Sequence, residues 1–164
     1  QKSELFSETI EQNIRWGDAE ASDEEVRRAA EIAQADEFIS GFTEGYKDMI
    51  TEKGSSLSGG QKQRLSIARA IVKKPEILIF DDSMSALDLS TDAKLQKALH
   101  EKLKGTTVIM IAQRVASVMR ADKIAVIDNG RIAAFDTHDN LMKNCSVYRD
   151  IYNSQMREGA EQVG

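Results

Sequence analysis

Behind Ser22-Asp23-Glu24-Glu25, the apolar residues Val26, Ala29, Ala30 and Ala33 recur at three- and four-residue steps. This spacing predicts an amphipathic helix over 23–35, opened by a capping box and carrying its arginines on the other face. The same period returns from Ser58 in Leu65, Ala68, Ile71 and Val72, and this second helix closes on Lys73-Lys74 before the only proline, Pro75. Ahead of the two helices, 1–17 reads as a connector with one or two helical turns around Leu5, Phe6, Ile10 and Ile14. Between them, 38–54 is punctuated by glycines and reads as loop with one short helix.

Past Pro75 the pattern alternates. Strands are predicted at 77–80, 107–112 and 123–127, with helices near 90–103 and 114–120 between them. Such alternation implies a parallel sheet with covered faces, an α/β architecture. Asp128-Asn129-Gly130-Arg131 is a two-residue hairpin turn into a strand at 132–135, and 138–156 reads as two helices before a frayed tail. The change of pattern at Lys73-Lys74-Pro75 divides a helix-rich part, 1–73, from an alternating part, 74–157, with a tail at 158–164.

Two short stretches carry chemistry. Ser58-Gly59-Gly60 opens a helix with almost no side chain, so bare backbone N–H groups and the positive end of the macrodipole are offered to an anion such as a phosphate. The apolar strand Ile77-Leu78-Ile79-Phe80 ends in Asp81-Asp82, and an acid pair at the exit of a buried strand can hold Mg²⁺ and orient a water. Taken alone, a Gly-Gly is by default a tight loop, and two acids after a strand are by default solvated. Their order and spacing in one chain carry the functional reading.

Composition narrows it further. The 164 residues are 41% hydrophobic, enough for one modest core, with a net charge of −5 and a pI near 5.2. An acidic balance argues against nucleic acid as a partner, since phosphate-backbone binders carry basic faces. No window approaches the roughly 18–20 apolar residues that cross a bilayer, and one cysteine, Cys145, cannot form an internal disulfide. His100 and His138 have no second ligand at metal spacing. Trp16 and Tyr148 read as packing or interface groups, Cys145 as inert, and Arg114 as the partner of a neighbouring acid.

At Leu57-Ser58-Gly59-Gly60-Gln61 the chain resembles the signature motif of ABC transporter nucleotide-binding domains of the exporter type. The segment 77–82 resembles Walker B and Ser85-Ala86-Leu87-Asp88 the D-loop, in the family's order and spacing. The resemblance runs from Gln1, at the place of the Q-loop glutamine ahead of Leu5-Phe6-Ser7, to about Met156. It implies the C-terminal part of a P-loop NTPase (ABC ATPase) fold, with a parallel sheet and the helical signature subdomain. It also implies ATP and Mg²⁺ as cofactors. Ser58, Gly59, Gly60, Gln61 and Asp88 would meet nucleotide, Gln1 would meet nucleotide and metal, and Asp81 would hold the metal. Asp82 and Gln113 would be the catalytic pair. The phosphate loop G-x-x-x-x-G-K-[ST] is not in the chain; Gly54 and Gly59 have its glycine spacing, but Gly60-Gln61 stands where Lys and Ser/Thr are required. In the family that loop lies upstream of the Q-loop, and the membrane helices lie further upstream.

Two residues depart from the family pattern. The residue after the Walker B aspartate is usually glutamate and here is Asp82; the switch histidine is replaced by Gln113 in Ile111-Ala112-Gln113-Arg114. One methylene fewer withdraws the carboxylate by roughly 1.5 Å, and a misplacement of about 1 Å can cost about a hundredfold in rate. A carboxamide can hydrogen-bond a γ-phosphate but cannot take up a proton near neutral pH as imidazole can. In the family two such domains meet head to tail, each signature covering the ATP held by the other. The resemblance therefore implies the degenerate half of a heterodimeric multidrug or lipid exporter. Its partners would be a second nucleotide-binding domain and a transmembrane domain, and it would lie on the cytoplasmic side of the cell membrane. Two alternatives stand beside this. One is a non-hydrolytic nucleotide-sensing or interaction module; the other is a soluble ABC ATPase of DNA maintenance, which the acidic pI and the lack of a coiled coil before the signature disfavour.

Overall fold

The computed structural model describes residues 4–50 and 57–161, with side chains through Met156. The contacts divide them into two compact units, one running to Ile111 and the other from Ala112. The first unit holds α1 (Ile10–Arg15), α2 (Asp23–Ile32), α3 (Asp36–Ile39), a 3-10 turn (Gly45–Lys47), α4 (Gly59–Val72), β1 (Ile77–Asp81), α5 (Leu89–Lys102) and β2 (Thr107–Ile111). The second holds a 3-10 turn (Val115–Ser117), β3 (Ile124–Asp128), β4 (Arg131–Asp136), α6 (His138–Asn144) and α7 (Ser146–Glu161).

Capping sets the helix starts. Ser22 and Glu25 exchange side-chain and backbone bonds as the sequence predicts, with Ser22 N–H donating to Glu25 at 2.8 Å and Glu25 N–H donating to Ser22 Oγ at 3.3 Å. Thr9 and Gln12 form a second capping box at α1, which the apolar spacing did not announce. The helix predicted over 23–35 stops at Ile32. Gln34 turns left-handed at φ 58°, Ala35 N–H donates to Ala30 O at 2.7 Å and Gln34 N–H to Glu31 O at 3.0 Å. That is a Schellman closure with glutamine where glycine is usual, so its commonest signal is missing. Lys74 closes α4 in the same left-handed way at φ 50°.

The core of the first unit is one cluster. Val26, Ala29 and Ala30 of α2, Leu65, Ala68, Ile71 and Val72 of α4, and Leu95 and Leu99 of α5 are buried together with Leu78 and Phe80 of β1. α4 is the element on which α1 and α2 both pack. Gly17 lets α1 come that close: a Cβ there would overlap the Arg69 carbonyl oxygen and stand 2.8 Å from a Val72 methyl. A second tie is polar. The Arg69 guanidinium donates to Asn13 O (2.9 Å), Asn13 Oδ1 (3.1 Å) and Glu4 O (3.1 Å), and lies over the Phe6 ring, which stacks on Trp16. Asn13 is fully buried, and its amide group bonds the Phe6 and Thr9 backbone.

β1 and β2 pair in parallel with Ile77 opposite Thr107, as the alternation implies. Coverage differs from expectation. Leu78 and Phe80 face the helices, while Ile77, Ile79, Ile109 and Ile111 on the opposite face are 45–60% exposed. The sheet is covered on one side among the described residues, not on both.

In the second unit β3 and β4 form the expected antiparallel hairpin, Asp128 paired with Arg131. Asn129 and Gly130 both take positive φ, 48° and 74°, as a two-residue turn of this hand requires. Ile124 and Val126 bury against Leu141, Cys145 and Tyr148. The helix predicted near 114–120 is corrected to a single 3-10 turn: Met119 N–H still reaches Val115 O, but Ala121 N–H closes only on Val118 O.

Two predictions come from this packing. Gly17→Ala forces α1 off α4 and is expected to lower stability by about 1–3 kcal/mol, read as a lower denaturant midpoint at unchanged slope. Glu25 is the second. Its bond to Lys74 first, then those to Ser22, hold its carboxyl down from 4.5 to about 2. A depressed carboxyl contributes stability that is present above its unfolded pKa and lost as pH falls through the folded one. Glu25→Gln should therefore flatten the acid limb of stability between about pH 4.5 and 2, and a melting series over that range reads it.

Candidate functional site

The N-terminus of α4 and the loop after β1 face each other. Ser58 caps α4: its Oγ accepts from Gln61 N–H at 3.2 Å, and Gln61 Oε1 accepts from Ser58 N–H at 2.9 Å. A helix leaves its first N–H groups without internal acceptors. The cap takes that of Gln61, which leaves those of Gly59 and Gly60 at the mouth of an open cavity of about 340 Å³. Ser58, Gly59, Gly60, Arg64, Leu87, Asp88 and their neighbours line it.

The loop leaves little room for a side chain at Gly60 and ordinary contact distance at Gly59. A Cβ on Gly60 would stand 3.1 Å from Ala86 O, and one on Gly59 3.7 Å from Ala86 Cβ. From one turn further along α4, Gln63 Oε1 accepts the Ala86 N–H at 3.2 Å. The loop is thus held against the signature helix from both sides of one residue. Sequence reasoning passed over Gln63, whose role depends on a partner 23 positions away.

Arg64 was also passed over. Its guanidinium donates to Gln34 O at 2.7 Å and to Gly60 O at 3.4 Å, and lies 4.7 Å from the centre of the Phe38 ring. Burial pulls its pKa down, and Asp88 and Glu37 oppose that pull. Asp88 caps α5: its carboxylate accepts from Thr91 N–H at 2.9 Å and Thr91 Oγ1 at 2.7 Å, and these bonds hold it below the usual carboxylate range. The cavity therefore carries one cation and one firmly ionised acid, besides the two free amides.

Asp81 ends β1 exposed. Asp82 follows half-buried at φ 50°, its N–H donating to Ile111 O at 3.0 Å and its carbonyl accepting from Ser85 N–H and Oγ. A left-handed residue is uncommon outside glycine, and aspartate is among the side chains that tolerate it. No group of three or more His, Cys, Asp or Glu that could hold a metal occurs among the described residues. A lone Asp81 carboxylate fits Mg²⁺, which takes one or two carboxylates and fills its remaining positions from phosphate and water.

The structure thus gathers Ser58, Gly59, Gly60 and Asp88 around one cavity and commits the Gln61 side chain to the Ser58 cap. Asp81 and Asp82 stand at the start of the loop that reaches that cavity. Gln113 is exposed in the second unit, its carbonyl accepting from Gln155 Nε2 at 2.7 Å. Gln1 and Gly54 lie outside the described residues.

Comparison with known proteins places these features in a family. The ABC transporter family profile matches residues 1–85. The mitochondrial potassium channel ATP-binding subunit of Xenopus tropicalis is 45% identical over 161 residues, 98% of this chain and 23% of that protein. ABC transporter B family member 4 of Dictyostelium discoideum is 42% identical over 158 residues, 96% of this chain and 21% of that protein. Among solved structures, a bacterial Atm1-family ABC exporter with ATP bound superposes with a TM-score of 0.88 at 39% identity, over 94% of this chain and 27% of that one. The chain spans about a quarter or less of the length of these relatives. Signature, strand-end acids and loop fall in one order on one fold, and the chain belongs to the ABC transporter family, with the nucleotide-binding-domain fold of its exporters.

Proposed function

We propose that the chain serves as an ATP-binding domain of a membrane exporter, coupling Mg-ATP binding and hydrolysis to transport, with a weakened site of its own and a sound signature offered to a partner domain. The observation that carries this reading is the first turn of α4, where Gly59 and Gly60 carry no side chain and line an open cavity beside Ala86. Head-to-tail pairing would bring the partner's triphosphate to them. Arg64, half-buried and held by Gln34 O, adds positive charge beside them. Asp88 is occupied with Thr91, so its charge is turned toward the start of α5.

At the home site, Asp81 would hold the Mg²⁺ that neutralises phosphate charge. Asp82 would orient water from a carboxylate about 1.5 Å short of the glutamate position, and Gln113 would sense the γ-phosphate by hydrogen bonding alone. Gln1 would link the site to the membrane domain. The division of roles is 1–73 for coupling and signature, 74–157 for the acids and the switch, and 158–164 as tail. This chain would hold ATP and time the cycle, while a second nucleotide-binding domain supplies the faster site.

The test uses the assembled transporter with the partner's own catalytic acid disabled. Asp82→Glu combined with Gln113→His should raise residual Mg-ATP turnover by at least tenfold, within the roughly hundredfold that a 1 Å correction can return. Turnover unchanged from the parent would remove the weakened-site reading. Absence of ATP binding in the parent assembly would instead favour an interaction module.

A further inference from the structure

In the second unit, the backbone on either side of Arg114 is gripped by one side chain from α7. Gln155 Nε2 donates to Gln113 O at 2.7 Å, and Gln155 Oε1 accepts from Val115 N–H at 2.8 Å. The carboxamide is half-buried, and both of its ends are used in the sense their chemistry allows. These bonds reach 42 and 40 positions along the chain, to a stretch that has little regular structure of its own, a single 3-10 turn at Val115–Ser117. Val115 is anchored by its buried side chain in the core of the second unit, and the two bonds from α7 fix the backbone on the Gln113 side of it. The Gln113 side chain projects from that backbone and is exposed.

We infer that Gln155 is a positioning residue for the γ-phosphate sensor: through its two-ended grip, α7 sets the place of Gln113 and so the retention of nucleotide at the home site. The inference rests on the function proposed above, in which Gln113 meets the γ-phosphate. It adds that control of this contact lies on α7, 42 positions along the chain from Gln113. Without the grip the 113–115 backbone would sample other placements, and the carboxamide of Gln113 would meet phosphate only part of the time. Nucleotide would then leave sooner although no group touching it had changed.

The experiment is done on the full-length transporter with its partner and compares the parent, Gln155→Met, Gln113→Ala and the double variant. Methionine keeps the length of the side chain and loses both polar ends. Amide hydrogen exchange at Val115 should quicken by about fivefold in Gln155→Met, the loss of one ordinary hydrogen bond. Release of ATP from the home site should quicken severalfold in Gln155→Met and in Gln113→Ala alike, with melting temperatures unchanged. Because Gln155 acts through Gln113, the double variant should release ATP no faster than the quicker single variant. The inference is overturned if Val115 exchange or ATP release is unaffected in Gln155→Met, if the two effects add, or if release rises only in step with a fall in melting temperature. A parent that binds no ATP would sink the proposed function instead, and Val115 exchange would still report on the grip.

Discussion

The close approach of Gly60 to the Ala86 carbonyl governs what the first unit can do. At 3.1 Å from a Cβ that Gly60 lacks, the Ala86 carbonyl brings the loop after β1 into close contact with the first turn of α4. Everything at the cavity follows from that spacing. The first-turn amides remain uncovered, Gln63 is near enough to take the Ala86 N–H, and Arg64 and Asp88 are brought to the same opening. A helix N-terminus attracts anions in general; this one lines an open cavity together with the loop after β1.

Much of this was legible because it is local. Ser22 with Glu25 three residues on is a capping box in sequence and in structure, and Asn129-Gly130 needs no tertiary help to turn a hairpin. The buried stripe of α4 contains the predicted Leu65, Ala68, Ile71 and Val72, with Ile67 added to it. Harder to read were backbone events that lack their usual residue. Gln34 and Lys74 close helices in the left-handed region, where glycine would have announced them. The stretch after Gln113 has apolar spacing that suits a helix, yet its bonds include 3-10 closures and a side chain from α7. Gln63, Arg64 and Gln155 act on partners 23 to 42 positions away, a distance over which spacing carries no signal.

The sheet shows the same division between local and distant causes. Alternation of strand and helix gives the parallel register of β1 and β2, but the strand at 123–127, which the same alternation adds to that sheet, pairs instead with β4, antiparallel, because the tight Asn129-Gly130 turn returns the chain alongside it. The exposed isoleucines at 77, 79, 109 and 111 mark a face that the described residues do not cover, and β-branched residues on both strands are what a buried sheet face requires. Family membership was legible through the order of motifs, whereas the consequence of Asp82 and Gln113 depends on geometry to a nucleotide and a partner.

Arg69 gives the first unit a mechanical property. Three hydrogen bonds fasten the Glu4–Asn13 stretch to the far half of α4, and Gly17 seats α1 on the same place. A 14-residue helix is a stiff rod of roughly 21 Å. The fastening of the Glu4–Asn13 stretch and the two glycines of the first turn therefore belong to opposite ends of one stiff element.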